Sequence, residues 1–144
     1  MEPGSVFQYI SALFPARITK ASKGFGSFLN IYFSVDESRE GHIWIYLCHW
    51  KLFHGEDLVE SSGSITAEEK IIRFFSGENL LSLDVSGLEV SITISQGKRL
   101  VMCADQTEYG NEDILIIYTP GRPPIGYGPR PGCPRDYGWN LDED

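Results

Sequence analysis

Several features that define whole classes of protein are scarce or missing in this sequence. No apolar run approaches the roughly 18 residues that a membrane-spanning helix needs, so helical membrane spans are not expected. Only three of the 144 residues are cysteines, at the separate positions Cys48, Cys103 and Cys133. An odd number of cysteines without C-x-x-C spacing argues against a disulfide framework and against a closed zinc site.

Positive charge is also scarce. Twelve lysines and arginines stand against 20 aspartates and glutamates, which gives a formal net charge of −8 at pH 7. Because affinity for nucleic acids and anionic lipids comes largely from neutralising phosphates, neither is an expected partner. Residues 1–4 lack the basic region of a secretory signal, and together with the cysteine usage this favours a cytoplasmic location.

No familiar catalytic motif is present. The glycine-rich residues 24–27 precede a predicted strand and lack a following G-K-[ST], so they do not resemble a working phosphate loop. In one strand, Cys48 and His49 point to opposite faces and cannot form a thiolate–imidazole pair. His42 and His54 are too far apart along such a strand to share a metal ion. We therefore expect no enzyme activity, no catalytic residues, no metal site and no cofactor.

Helical periodicity occurs twice. From Val6 to Phe14, apolar residues recur at i, i+3, i+4, i+7 and i+8 after a capping-box spacing, and a proline ends this segment. A second capping box, Thr66 and Glu69, precedes four apolar residues at helical spacing, and Gly77 is a suitable stop. The sequence predicts two short helices.

Between these helices lies the most apolar segment of the chain, residues 42–53. Both parities are apolar as far as Leu47, which is typical of a central strand covered on both faces. Beyond Cys48 one parity becomes polar, so we expect one face of the strand to emerge into solvent at its far end, with Trp50 the aromatic residue best placed to be exposed.

The following strands are predicted to form a meander. A turn at Ser86–Gly87 would pair residue 85 with 88, and a turn at Gln96–Gly97 would pair residue 92 with 101 and place Cys103 in the core. Both turns keep one apolar face. With a last strand over residues 113–119, these patterns predict an α+β fold, in which a single antiparallel β-sheet of about six strands carries the two short helices.

The last 25 residues have a different composition. Six of the eight prolines and five glycines lie in residues 120–144, and such a segment is predicted to form neither a regular helix nor an inner strand. Aromatic residues such as Tyr137 and Trp139 supply apolar anchors that a pure linker lacks. The sequence thus predicts one domain over residues 1–119 and a Pro/Gly-rich C-terminal tail over 120–144 that docks at least partly on it.

Two segments together resemble a family of small uncharacterised bacterial single-domain proteins. Residues 24–29 resemble the family's GHGSFL strand entry, with Phe25 at a position where the family tends to have a polar residue. Residues 42–50 resemble its WHLWIYxCxW pattern through Trp44, Ile45, Tyr46, Cys48 and Trp50. The resemblance covers about residues 20–120 and excludes the tail. It implies compact proteins without an established catalytic motif that look like immunity proteins of bacterial toxin systems.

Two functions are compatible with these observations. The first is a non-catalytic immunity protein that neutralises a bacterial toxin by occluding a basic surface, since opposite charge speeds association. Strand ends and loops carry the expected contacts, because buried strand residues cannot reach a partner; the predicted partner-binding residues are Asp36, Glu37, Glu40, His49, Trp50 and Lys51. The second is a small-ligand-binding domain with a pocket on the sheet face. No feature of the sequence indicates an oligomeric state.

Overall fold

The computed structural model describes residues 3–24, 28–45, 48–62, 68–103, 113–130 and 133–141. Within these ranges the chain forms two helices and eleven strands. The helices are α1 (Pro3–Ala12) and α2 (Glu68–Phe75); the strands are β1 (Ala16–Lys23), β2 (Leu29–Ser34), β3 (Glu40–Ile45), β4 (His49–His54), β5 (Asp57–Ser61), β6 (Asn79–Ser86), β7 (Glu89–Ile94), β8 (Lys98–Cys103), β9 (Leu115–Tyr118), β10 (Ile125–Arg130) and β11 (Cys133–Leu141).

The protein is mostly β, and the predicted α+β fold with about six strands is wrong. Only 13% of the chain is helical, and all eleven strands belong to one antiparallel sheet. The strand order is β11-β10-β9-β3-β2-β1-β6-β7-β8-β4-β5, which is not a simple meander. The antiparallel pairing itself was predicted and is confirmed.

Strand β1 divides the sheet into two halves. Ile18 and residues 20–23 pair with β2, with a register shift at Thr19, whereas only Ala16 and Arg17 pair with β6. We call the strands from β11 to β1 the first half sheet and those from β1 to β5 the second half sheet. The Tyr127 hydroxyl on β10 donates a hydrogen bond to the Gly87 carbonyl after β6 (2.7 Å), so the two half sheets face each other.

One hydrophobic core fills the space between the half sheets. Along each strand, alternate side chains enter this core, as the pleat of a strand requires: β2 contributes Leu29, Ile31 and Phe33, with Asn30 and Tyr32 between them on the outer face. Helix α2 adds three buried side chains to the same cluster, and α1 adds two. The capping residue predicted at position 66 lies outside the described residues.

The apolar segment 42–53 is two strands, and its prediction as one central strand is wrong. Strand β3 lies between β2 and β9 in the first half sheet, whereas β4 lies between β8 and β5 in the second. Cys48, at the start of β4, is buried, and its Sγ lies 3.9 Å from the Ile114 carbonyl oxygen. Two successive strands that belong to different half sheets can together show apolar residues at both parities. A single strand covered on both faces has the same pattern, so the sequence does not distinguish the two cases.

The first of the two predicted turns lies one residue further along the chain. Val85 pairs with Val90, and Gly87 and Leu88 form the turn. Gly87 has a φ of 59°, a left-handed conformation that glycine adopts at little cost. Leu88, expected to pair with Val85 in the core, is therefore exposed in the turn.

The second turn has three residues instead of two. Residues 95–97 connect β7 to β8, with φ values of 65° at Gln96 and 72° at Gly97. The register moves by one residue, so that Ile92 pairs with Leu100 and not with residue 101. Because such a shift exchanges the two faces of a strand, the core receives Leu100 and Met102, and Cys103, predicted to be buried, is exposed.

The Pro/Gly-rich segment supplies two strands, contrary to the prediction that it forms no inner strand. Strand β10 pairs with β9 through residues 125–127 and with β11 through residues 125–130. Pro129 lies beyond the last residue paired with β9, so its missing N–H interrupts no ladder on that side. Strands β10 and β11 thus continue the first half sheet.

Two glycines of β10 make room for the side chain of Asp113. A Cβ atom on Gly126 would lie 2.7 Å from Asp113 Cγ, and one on Gly128 would lie 2.6 Å from Asp113 Cα. Asn140 on β11 donates a hydrogen bond to Asp113 Oδ1 (3.2 Å). Gly126 and Gly128 therefore allow β10 to pack closely against Asp113.

These contacts predict two different responses to alanine. Gly126→Ala and Gly128→Ala should each lower the free energy of unfolding by about 1–3 kcal/mol, the usual cost of overpacking. In an Asp113→Ala background the cost of Gly126→Ala should largely disappear, since its collision is with the Asp113 side chain. The cost of Gly128→Ala should persist, since it collides with backbone. Urea unfolding of the single and double variants measures both; equal rescue of the two glycine variants would contradict this packing.

A buried ion pair fixes the end of α2 to the second half sheet. Glu78 is 7% exposed, and its carboxylate lies 2.7 Å from Lys98 Nζ and accepts a hydrogen bond from Ser95 Oγ (2.7 Å). Lys98 Nζ also donates to the Phe74 carbonyl at the end of α2 (2.7 Å). Burial alone would raise the pKa of Glu78, but the Lys98 and Ser95 hydrogen bonds and the Lys98 charge outweigh it and lower the pKa.

The lowered pKa makes this contribution to stability dependent on pH. Stability from ionised Glu78 is fully present above the ordinary glutamate pKa and is lost as the pH falls through the lowered value. Glu78→Gln should therefore reduce the free energy of unfolding at pH 7 by about 2 kcal/mol or more, and the difference from wild type should shrink in acid. Glu56→Gln, in an exposed turn, is the control. If the difference in the free energy of unfolding between Glu78→Gln and wild type did not change with pH, the ion pair would not be its source.

Candidate functional site

Trp50, predicted to be an exposed contact residue, is in the core. Its side chain is 1% exposed, because the inner face of β4 carries Trp50 and Leu52 while His49 and Lys51 point outward and are exposed. The sequence placed the exposed end of the apolar segment correctly but assigned Trp50 to the wrong face. Trp50 therefore cannot contact a partner on the folded protein.

The other predicted residues occupy two separate surfaces. Asp36, Glu37 and Glu40 lie in the connection between β2 and β3 and at the start of β3, in the first half sheet. His49 and Lys51 lie on β4, which is separated from β2 in the strand order by β1, β6, β7 and β8. The prediction that these residues form one contact surface assumed a single strand over 42–53, which the structure does not contain.

The β2–β3 turn is held in one conformation by Asp36. Its Oδ1 accepts hydrogen bonds from the backbone N–H groups of Ser38 and Arg39 (both 2.9 Å), and its Oδ2 accepts one from Arg39 Nε (2.7 Å). The Ser38 backbone bond, followed by the Arg39 side chain, lowers the pKa of Asp36. Asp36 is thus a structural residue of an exposed turn, in the manner of an Asx turn.

Beside this turn, three aromatic rings form a row across the outer face of the first half sheet. Tyr32, His42 and Tyr118 are successive partners in the register of β2, β3 and β9. The Tyr32 and His42 rings stack at 4.3 Å with an interplanar angle of 7°, and the His42 and Tyr118 rings stack at 5.5 Å and 18°. His42 Nε2 lies 2.8 Å from Asn30 Oδ1. Partial burial lowers the pKa of His42, opposed by the charge of Glu40.

Glu40 connects the turn to the aromatic row. It precedes His42 by two residues and so lies on the same face of β3, and its carboxylate accepts a hydrogen bond from the Thr19 hydroxyl (2.5 Å). A shallow depression of about 380 Å³ lies there, lined by residues 36–40 together with Arg17, Thr19 and Ser34. We call the turn residues 36–40 and the row Tyr32, His42 and Tyr118 the hairpin surface.

The chain carries 20 acidic residues against 12 lysines and arginines. On the hairpin surface itself, Arg39 is paired with Asp36, which leaves Glu37 and Glu40 as the acidic groups that a basic partner could meet.

The described residues hold no group of three or more His, Cys, Asp or Glu side chains arranged to bind a metal ion. Burial, with a smaller effect of Cys103, raises the pKa of the Cys48 thiol to about 12, and a thiol in that state is a poor nucleophile. No helix among the described ranges is long and apolar enough to cross a membrane.

No protein-family model, curated protein or solved structure matches this chain. The resemblance to immunity-like bacterial proteins over residues 20–120 stays a prediction.

Sequence reasoning missed the aromatic row, although a signal for it was present. Tyr32 and His42 stand at the outward parity of their strands, between the buried residues Ile31 and Ile43. Large aromatic side chains at outward positions are informative only once the register places them side by side. That register involves β9, which begins 70 residues after the end of β3 and was not assigned a neighbour.

The burial of the cysteines predicts their reactivity. In a Cys133→Ser background, which removes the cysteine whose side chain is not described, a thiol reagent at about pH 8 should modify Cys103 rapidly and Cys48 only after unfolding, because the thiolate is the reactive form. Counting modified thiols by mass spectrometry before and after adding urea measures this. Rapid modification of a Cys103→Ser, Cys133→Ser variant in the native state would contradict the burial of Cys48.

Proposed function

We propose that this chain is a non-catalytic cytoplasmic binding protein that neutralises a toxin protein by occluding a basic surface on it. The observation that carries the proposal is the hairpin surface, where the exposed carboxylates of Glu37 and Glu40 lie beside a row of stacked aromatic rings. Aromatic side chains flanked by charged groups are the combination that protein interfaces use as anchors.

The hairpin surface is preorganised in the unbound protein. Asp36 holds the turn through three hydrogen bonds, and each ring of the aromatic row is fixed by its stacked neighbour and by a paired strand beneath it. A surface that is already ordered loses little conformational entropy on association. This favours recognition of a folded partner over recognition of a substrate that must enter a cleft.

The roles of the predicted contact residues differ from one another. Glu37 and Glu40 would face lysine or arginine side chains of the partner and mainly raise the association rate. Asp36 supports the turn, and His49 and Lys51 lie on the other half sheet, outside the proposed surface. The aromatic row takes the place that the sequence assigned to Trp50.

The alternative function, a small-ligand-binding domain with a pocket on the sheet face, has less support. The described residues form a cavity of about 250 Å³ between β1 and α2, below the roughly 300–1,000 Å³ that pockets for drug-sized ligands usually enclose. The depression of about 380 Å³ at the hairpin surface is large enough but is shallow and lined almost entirely by polar and charged residues, whereas ligand pockets are mostly apolar.

A charge-reversal pair tests the proposed surface. The partner is first isolated from the native host with the tagged protein and identified by mass spectrometry. Glu37→Lys with Glu40→Lys should then reduce the association rate by about tenfold at low salt, with a nearly unchanged melting temperature, since exposed charges contribute little to stability. Asp36 is left in place because it holds the turn.

A matched pair on the other half sheet is the control. Glu56→Lys, in the exposed turn between β4 and β5, is combined with Asp57→Lys, at the exposed first residue of β5. This pair changes the net charge by the same amount and should leave the association rate near that of wild type. Equal losses in the two variants would show steering by net charge alone and would remove the hairpin surface from the proposal. Failure to recover any protein partner with the wild-type chain would remove the binding function itself.

A further inference from the structure

The outer face of the second half sheet carries a thiol beside an imidazole. The register places Cys103 on β8 directly opposite His49 on β4 and, on its other side, opposite Glu89 on β7. All three side chains are exposed. Directly opposite residues of antiparallel strands point to the same face, with Cβ atoms about 4.5–5.5 Å apart. The imidazole that points away from Cys48, its neighbour in sequence, is thus the neighbour of Cys103 across the sheet.

Two cationic side chains lie on the same face. Lys51 follows His49 by two residues on β4 and lies diagonally from Cys103, and Arg99 precedes Cys103 by four residues on β8. Both are exposed. Glu89 carries the opposite charge, on the β7 side of Cys103. A molecule attached to the Cys103 sulfur therefore has cations on the β4 side and a carboxylate on the β7 side.

We propose that Cys103 is a modification site, which forms a mixed disulfide with a carboxylate-bearing low-molecular-weight disulfide such as glutathione disulfide, and that His49 is the base for this reaction. Cys48 does not compete, because it is buried and burial raises the pKa of its thiol to about 12. The site lies on the half sheet that does not carry the hairpin surface. The proposal does not depend on the function proposed for that surface.

The exchange needs no reactant besides the disulfide. His49 accepts the proton of the Cys103 thiol, since histidine is the side chain best suited to proton transfer near neutral pH. The Cys103 sulfur then attacks one sulfur of glutathione disulfide, so that a new S–S bond forms as the old one breaks. The departing glutathione thiolate takes the proton from His49. Cys103 is oxidised to the mixed disulfide, and one glutathione is reduced to its thiol.

The charges around Cys103 suit a zwitterionic peptide such as glutathione, which has two carboxylates and one ammonium group in each half of its disulfide. A carboxylate would face Lys51 or Arg99, whereas the ammonium group would face Glu89. Ion pairs between exposed groups contribute modestly to binding, so the selection should be seen in relative reaction rates. Cystamine, a disulfide with two ammonium groups and no carboxylate, would be repelled by Lys51.

Glutathione disulfide provides the test with the full chain carrying Cys133→Ser. At about pH 7, mass spectrometry should show one adduct, which peptide mapping assigns to Cys103. His49→Gln should slow its formation by about tenfold or more at this pH. At about pH 9.5, where a thiol ionises in water without a base, the loss should shrink to about twofold or less. His54→Gln is the matched control, because His54 is also exposed on β4 but lies opposite Lys98; it should react like wild type at both pH values.

A charge variant tests the selection of the disulfide. Lys51→Glu should lower the rate with glutathione disulfide relative to the rate with cystamine by about tenfold, because it replaces attraction of carboxylates by repulsion. Arg17→Glu, at an exposed position of β1, changes the net charge by the same amount and should leave this ratio near that of wild type. Melting temperatures verify that each variant is folded.

Several results would overturn the proposal. Absence of an adduct at Cys103 would remove the modification site. Equal effects of His49→Gln and His54→Gln, or a loss in His49→Gln that is the same at both pH values, would show that His49 is not the base. Equal changes of the rate ratio in Lys51→Glu and Arg17→Glu would remove the selection for carboxylates. Glu37→Lys with Glu40→Lys should form the adduct at the wild-type rate, so that the two proposals fail independently.

Discussion

The divided pairing of β1 is the constraint on which this structure depends. Eleven strands in one antiparallel sheet can bury an apolar face only if the sheet turns back on itself. Two residues of β1 pair with β6 and most of the others pair with β2, so the half sheets separate there and enclose one core. Helix α2 fills the side that this separation opens, and the Glu78–Lys98 pair holds its end in place.

The same arrangement determines which surfaces can bind other molecules. The inner faces of the sheet are buried in the core, so only the outer faces, the turns and the strand edges can contact other molecules. On the first half sheet, the register of β2, β3 and β9 brings aromatic rings from distant parts of the chain into one row next to a rigid turn.

Local patterns predicted the elements of this fold better than its connections. Both helices, the period-two strands and their antiparallel pairing follow from neighbours in sequence, because side-chain periodicity is a property of single elements. The number of strands did not follow. Residues 42–53 form two strands in different half sheets, and the proline- and glycine-rich segment forms two more, one of them with glycines that make room for Asp113. A register that differs by one residue between β7 and β8 exposed Cys103, and a turn that lies one residue further along between β6 and β7 exposed Leu88.

The sequence by itself determined that this chain forms a mostly alternating, antiparallel structure with two short helices, a scarcity of positive charge and no local catalytic motif. It also placed three carboxylates in the turn between β2 and β3. Only the tertiary structure decided that Trp50 is buried and that His42 stacks between two tyrosines. The reason is physical: periodicity fixes which side chains share a face of one strand, whereas the neighbour of that strand is chosen by the packing of the whole core.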